Sequence, residues 1–364
     1  MKNAYRAWAE IDTSAVKHNL NVIRNRAQDA HIMAILKANA YGHGAVEMAK
    51  LLVSQGIEAI GVGDSGEAIE LRDAGIECPI LIVGGIIPGE ANAVVENNIA
   101  VNLHTVEMAV ELDRVAGKLN KQAEVHLKID TGMGRLGMQP FEAVPFLHSL
   151  RSLKNLRLTG MCTHFSSPSE SSPAYTTQQL EQFHLAVEVA NRLGFVDLTL
   201  HTASSLALFA RDDVEFNMIR TGIALWGYLP DGETTELKPA LSFKTKVLFL
   251  KDVPEGAPIG YSRTWYSSRP TRVATLPIGY NDGYPTALSN NADVYINDQR
   301  CPVVGRVSMD YTTVDVGHID SIAVGDEVEL IGANIGLYEL AGKANQIPYE
   351  LLCGIGNRVI RTYR

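Results

Sequence analysis

The chain has 364 residues, room for one large domain or two ordinary ones, and it is 46% apolar and 20% charged, a balance that builds a core and excludes disorder. Acidic residues outnumber basic ones, 41 to 32, and the net charge of −9 excludes a protein whose main task is gripping nucleic-acid phosphates. No apolar run reaches the roughly 18 residues of a membrane span. The start, Met1-Lys2-Asn3-Ala4-Tyr5-Arg6, shows no apolar leader, so a cytoplasmic location is expected. Cys78, Cys162, Cys301 and Cys353 are scattered without metal-type spacing and read as unpaired thiols in a reducing compartment, with no metal expected.

Residues 5 to 11 look strand-like and are open to either of two domains. From there to about Thr221 one theme repeats: an apolar run, a turn signal, an amphipathic stretch. The runs are His31–Leu36, Ala59–Val62, Ile80–Val83, Ile99–Leu103, Val125–Ile129, Leu156–Cys162, Leu198–Leu200 and Phe216–Ile219. Segments such as Val46–Val53, Val106–Val115 and Gln178–Leu193 between them carry apolar residues at helical spacing, and Pro88 and Pro140 sit where helices begin. Eight strands alternating with helices predict an α/β fold, a (β/α)8 TIM-type barrel, although a doubly wound sheet would show the same alternation. Asp231-Gly232-Glu233-Thr234-Thr235-Glu236 reads as a linker. Beyond it Leu241–Leu250 alternates as one strand, and Arg272–Leu276, Asp293–Ile296, Thr312–Val316 and Glu327–Ile331 follow, predicting a C-terminal β-rich domain. The expected domains are residues 1–235 and 236–364.

Three glycine-bearing segments compete for chemistry. Gly61-Val62-Gly63-Asp64-Ser65-Gly66 and Gly132-Met133-Gly134-Arg135-Leu136-Gly137 both match the dinucleotide pattern, but neither is followed by the ribose-binding acid at the end of the next strand, so both read as turns. In the third, Lys37-Ala38-Asn39-Ala40-Tyr41-Gly42-His43-Gly44, a lysine directly follows an apolar strand. Burying its ammonium is costly, so it should emerge at the carboxyl face where barrel sites form, and a desolvated amine there suits condensation with a carbonyl. An ordinary strand-end lysine in water would show the same local sequence.

This segment resembles the cofactor-lysine motif of the alanine racemases. The resemblance spans the chain through Val125–Gly137 (VHLKIDTGMGRLG), Thr163-His164-Phe165, Phe216–Gly222 (FNMIRTG), Gly260-Tyr261-Ser262, Ile278–Pro285 (IGYNDGYP) and Gly305–Asp310 (GRVSMD). It implies a pyridoxal 5'-phosphate-dependent isomerase that supplies D-alanine for peptidoglycan, and a homodimer whose active sites are shared between subunits. Lys37 would carry the cofactor and act as one proton-transfer base, with Tyr261 as the other. Arg220 would face the pyridine nitrogen, and with His164 would help Tyr261 through a hydrogen-bonded chain. Tyr41, Ser205, Tyr349 and the backbone at Gly222 and Ile223 would hold the phosphate. Arg135 and the Met309 amide would bind the carboxylate of the amino-acid substrate, and Lys128 matches a lysine often carbamylated in the family, with an acid-paired lysine as its ordinary alternative.

Departures are modest: Ala203-Ser204-Ser205 stands where Ala-Asn-Ser is usual, Ser262 where glycine is, and Tyr311 where glutamine is often found. A serine or broad small-amino-acid racemase of the same family is the alternative to alanine. A decarboxylase on the same plan would want an acid where Arg220 stands, and a non-catalytic cofactor-binding protein would not need Tyr261, Met309 and Tyr349.

Overall fold

The computed structural model describes residues 5–171, 174–211, 216–232 and 234–364. Residues 1–4 and Glu233 of the expected linker lie outside the described residues. The chain forms two compact units. One comprises Lys17–Ala40 and Ala45–Leu225; the other takes the described residues up to Val16, Tyr41–Gly44 and Trp226–Arg364.

The first unit is the barrel. Its parallel strands are His31–Ile35, Ala59–Val62, Ile80–Ile82, Ala100–Leu103, Ala123–Lys128, Leu156–Cys162, Thr199–His201 and Met218–Thr221. The central strands read as unbroken apolar runs because both faces are covered; Ala59–Val62 and Ile80–Ile82 are buried throughout. Spatial order follows chain order, and His31–Ile35 pairs both with Ala59–Val62 and with Met218–Thr221. A doubly wound sheet would instead reverse its order about a switch point. The seam between Thr199–His201 and Met218–Thr221 has no ladder. Arg220 N–H donates across it to the Ala203 carbonyl at 3.0 Å. Below that, the Asn217 side chain substitutes for a backbone, its Oδ1 accepting from Leu200 N–H at 2.7 Å and its Nδ2 donating to the Leu198 carbonyl at 3.0 Å.

The expected helices are present as Ala45–Ser54, Val106–Lys118 and Ala174–Arg192. Pro140 opens Pro140–Leu150, where Glu142 accepts from the Gln139 N–H at 2.9 Å. Pro88 opens only a 3-10 turn, Pro88–Glu90, and the helix proper is Ala91–Glu96.

The second unit is strand-rich. A six-stranded sheet runs in the order Gln299–Pro302, Asp293–Ile296, Glu327–Ile331, Leu241–Lys246, Ala7–Ile11, Ile360–Tyr363, and a three-stranded sheet joins Phe249–Val253, Thr271–Leu276 and Thr312–Asp315. The single strand expected over Leu241–Leu250 is therefore two strands in different sheets. Val247 is tied to the turn before Glu327 by bonds with Asp326 and Gly325, while Leu248 N–H goes to Thr275 of the second sheet. The inside–outside alternation loses phase there, leaving Leu248 and Phe249 exposed. Two helices, Leu337–Ala344 and Pro348–Cys353, complete the unit. No helix of the described residues is long and apolar enough to cross a membrane, and all four cysteines are free thiols.

Candidate active site

Lys37 leaves the first barrel strand immediately after buried Leu36 and is exposed. The turn behind it is made without glycine. Ala38, Asn39, Ala40 and Tyr41, none of them glycine, all lie in the left-handed helical region with φ of 52–53°. An L-residue there costs about 1–2 kcal/mol, so the turn stores several kcal/mol that other bonds must offset. Ala40 N–H donates to the Leu36 carbonyl at 2.7 Å, and Asn39 Oδ1 accepts from Ala45 N–H at 2.7 Å. Ala38 N–H donates to Glu67 Oε1 at 2.5 Å, and Glu67 Oε2 accepts from Gly63 N–H at 2.7 Å.

Both dinucleotide-like glycine segments are closed to a pyrophosphate by the chain's own acids. Gly63 serves Glu67, and in the second segment the Asp130 carboxylate accepts from Gly132, Met133 and Gly134 N–H at 2.9–3.1 Å. That wrapped loop presents Arg135 to solvent.

Arg220 lies at the end of the last strand, 8% exposed. Its Nη1 donates to His201 Nδ1 and to the His201 carbonyl, each at 2.8 Å. Its Nη2 reaches the Thr163 carbonyl at 2.9 Å, the Thr202 carbonyl at 3.0 Å and His164 Nδ1 at 3.1 Å. Because His201 accepts at Nδ1, its proton sits on Nε2 and is donated to His126 Nδ1 at 2.8 Å. Burial, then the neighbouring guanidinium, pushes His126 down to about 4 and His164 to about 2, and holds His201 well below its ordinary value. All three imidazoles are neutral, so Arg220 is a buried cation with no carboxylate partner among the described residues. Its Nε–H likewise has no acceptor among them and is the donor left for a ligand.

His126 and His201 went unread in the sequence. The available signal was spacing: His126 lies two residues before Lys128 on one strand, which puts both on the same face. Lys128 is 7% exposed, and burial lowers its pKa, with Arg220 and Arg135 adding to the shift. It makes no ion pair within 4 Å among the described residues, while the Asp130 carboxylate acts on it in the opposite, charge-favouring direction.

Ser205 is buried one turn beyond the seventh strand. Its Oγ accepts from Gly222 N–H at 3.0 Å and Ala224 N–H at 3.5 Å, joining the loops after the last two strands where the 3-10 turn Ile223–Trp226 begins. Ser204, at the asparagine position, caps Ser205–Ala210 without a side-chain bond.

In the second unit, the rings of Tyr41 and Tyr349 lie 5.9 Å apart, and burial raises the Tyr349 hydroxyl, keeping it a proton donor. Tyr261 opens the 3-10 turn Tyr261–Arg263 and is 72% exposed, and Met309 is 52% exposed. Ser262, in place of the usual glycine, takes φ 60°, ψ 7°, the left-handed region that glycine enters freely.

A barrel whose first strand delivers a lysine, whose last strand delivers a buried, carboxylate-free arginine, and which is accompanied by a β-rich unit defines a class: a barrel enzyme built around an aldehyde-bearing cofactor with a ring nitrogen. The family models for the alanine racemase N-terminal domain and C-terminal domain match residues 11–230 and 240–363. The chain belongs to the alanine racemase family. It is 38% identical to the alanine racemase of Halothermothrix orenii, over 98% of this chain and 96% of the relative, and 39% identical to that of Methanococcus maripaludis, over 98% of each. Among solved structures, the Clostridium difficile 630 alanine racemase superposes with a TM-score of 0.95 at 35% identity, covering 99% of this chain and 96% of its own. A Bartonella henselae alanine racemase with covalently bound pyridoxal phosphate superposes with a TM-score of 0.89 at 29% identity, covering 99% and 100%.

Proposed function

We propose that this chain interconverts L-alanine and D-alanine with pyridoxal 5'-phosphate bound through Lys37, in the cytoplasm, and that the D-alanine serves peptidoglycan synthesis. The observation that carries the reading is Arg220, a buried cation among neutral imidazoles with one N–H in reserve. The residues fit the cofactor: Lys37 for its aldehyde, Arg220 Nε–H for its ring nitrogen, with His164 beside it, and Tyr41, Ser205, Tyr349, Gly222 and Ile223 for its phosphate. When bound, the cofactor's ring withdraws electrons from the alanine Cα–H bond and makes it acidic.

Arg220 would donate to the ring nitrogen without surrendering a proton, and the neutral histidines offer none, so the electron pair left at Cα would take up a proton there and transamination would be disfavoured. Inversion needs a proton removed from one face and another delivered to the opposite face. Tyr261 Oη takes the proton from L-alanine and Lys37 Nζ returns one, with roles exchanged in reverse. The His164–Arg220 chain assists proton transfer at Tyr261 Oη. Arg135 and the Met309 amide hold the substrate carboxylate. Burial favours the neutral Lys128 amine, which can add carbon dioxide with release of a proton to form a carbamate that orients Arg135; a carbamate resonance on Lys128 under carbon-13-labelled carbon dioxide tests this.

The exposure of Tyr261 and Met309 supports a homodimer in which Tyr261 of the partner subunit and Met309 of the partner subunit complete each site. Residues 1–235, less the first strand Ala7–Ile11 that pairs in the six-stranded sheet, and residues 236–364 then act as the cofactor-bearing and site-completing domains. The relatives' ligands agree with this reading: a Bacillus anthracis alanine racemase was solved with bound L-Ala-P, and the Clostridium difficile enzyme with cycloserine. The test is to incubate cofactor-loaded protein with L-alanine or L-serine and to follow the D-enantiomers by chiral chromatography. Fast D-alanine is expected, with near-complete loss in Lys37→Arg, and in Tyr261→Phe for the L-to-D direction. D-serine in excess would move the substrate assignment, and neither product would overturn the reading.

A further inference from the structure

The first glycine segment, Gly61 to Gly66, binds no dinucleotide phosphate, yet its geometry is specific to one neighbour. A Cβ on Gly63 would stand 3.5 Å from Lys37 Cβ and 3.2 Å from Glu67 Oε2, so the missing side chain leaves room for the stem of the lysine and for the carboxylate. Glu67 lies in the first turn of Ser65–Asp73, a helix already capped by Asp64, whose side chain accepts from Glu67 N–H at 3.0 Å. The Glu67 carboxylate is thus not needed as a cap. It reaches backwards instead, one oxygen to Gly63 N–H and the other to Ala38 N–H, the first amide after Lys37 and the first residue of the left-handed turn.

We propose that Glu67 is the positioning residue of Lys37: it clamps the loops after the first and second barrel strands and so holds the lysine where it can meet the cofactor aldehyde. The proposal rests on the reading of Lys37 as the cofactor lysine. A turn of four left-handed L-residues does not persist by local preference, and the Glu67 bond to Ala38 fixes it at the end nearest the reacting amine. A carboxylate suits the task because two N–H donors need two acceptors; an amide has one, and its NH2 would face the other N–H. The effect of Glu67 is on the rate and completeness with which the Lys37 amine condenses with the aldehyde, expelling water, since small displacements of a reacting atom are costly.

The test compares Glu67→Gln, Glu67→Asp and Glu142→Gln with the unmodified full-length chain. Glu142, in the first turn of Pro140–Leu150, accepts an equivalent bond from the Gln139 N–H and serves as the control. Each protein, stripped of cofactor, is titrated with pyridoxal 5'-phosphate, reduced with borohydride, and the mass of the Lys37 peptide is measured. Hydrogen exchange at residues 36–44 and 61–64 is followed in the cofactor-free protein. Glu67→Gln should raise the half-saturating cofactor concentration for Lys37 conjugation about 10- to 100-fold, the effect of leaving one amide unpaired, and should speed exchange in both loops. Glu67→Asp, one methylene too short to span both amides, should do the same, and Glu142→Gln neither. Conjugation within twofold of the unmodified chain would overturn the proposal, even if exchange quickened, because Glu67 would then only tie loops together. If the unmodified chain is not labelled at Lys37, the functional reading fails instead.

Discussion

Replacing Arg220 by lysine keeps the charge and removes the shape. The guanidinium spreads its terminal N–H groups over five acceptors: His201 Nδ1, His164 Nδ1 and the carbonyls of His201, Thr163 and Thr202. An ammonium has three donors on one nitrogen and cannot face His201 and His164 together, so at least two buried acceptors lose their partners. At roughly 1–3 kcal/mol for each, the barrel unit loses about 2–6 kcal/mol. For a unit of this size that lowers the melting temperature by roughly 5–20 °C. Nε–H is lost as well, so the ring nitrogen loses its donor and racemisation should fall by at least tenfold even where the variant stays folded. Calorimetry of the cofactor-free protein separates the first effect from the second, which is read from D-alanine formation well below the melting point. An Arg220→Lys protein that melts within 2 °C of the parent would refute the network account, and one that racemises at the parental rate would refute the role of the guanidinium.

Two further outcomes follow from local geometry and charge. Ser262→Gly relieves a left-handed serine and should stabilise the second unit by about 1 kcal/mol; a melting temperature unchanged or lowered would show that Ser262 carries no strain. For His126 and His164, folding depresses the pKa from an unfolded value near 6.5, so the unfolded chain binds more protons below that pH. Their contribution to stability is complete above about pH 6.5 and is lost as pH falls towards 4, at up to about 1.4 kcal/mol per pH unit for each. His126→Asn should flatten the decline of melting temperature between about pH 6 and 4.5, and an unchanged slope would show that these imidazoles are not the groups taking up protons.

How legible each part was depends on where its stabilising contacts come from. The barrel strands could be read because a strand buried on both faces must be apolar along its length, and the chain shows eight such runs in order. Lys37 could be read because an ammonium after buried Leu36 has to leave the core. The strand break at Val247 could not, since it is imposed by Asp326 and Thr275, far away in the chain. Leu337, Leu340, Ala341 and Ala344 are the buried face of a C-terminal helix and recur at helical spacing, so that element is legible in the sequence even among strand-like neighbours. The left-handed turn is the opposite case: local preference opposes it at every residue, and only Asn39, Glu67 and the Leu36 carbonyl make it stable.

The same logic joins the rejected motifs to the site. A glycine-rich turn after a strand exposes amides that must be satisfied, and a nucleotide phosphate is one way to satisfy them. Here the chain supplies its own anions, Glu67 for one turn and Asp130 for the other. The consequence differs from phosphate binding in one respect: an internal carboxylate does not leave, so the turn is rigid before any ligand arrives. Glu67 fixes the backbone beside Lys37, and Asp130 fixes the loop that carries Arg135, the two side chains assigned to the cofactor aldehyde and the substrate carboxylate. Charge inside the barrel follows the complementary rule. Among the described residues Arg220 is buried with neutral imidazoles and carbonyls as its partners and no carboxylate, which leaves its Nε–H for a neutral acceptor such as a ring nitrogen and not for an acid of the chain.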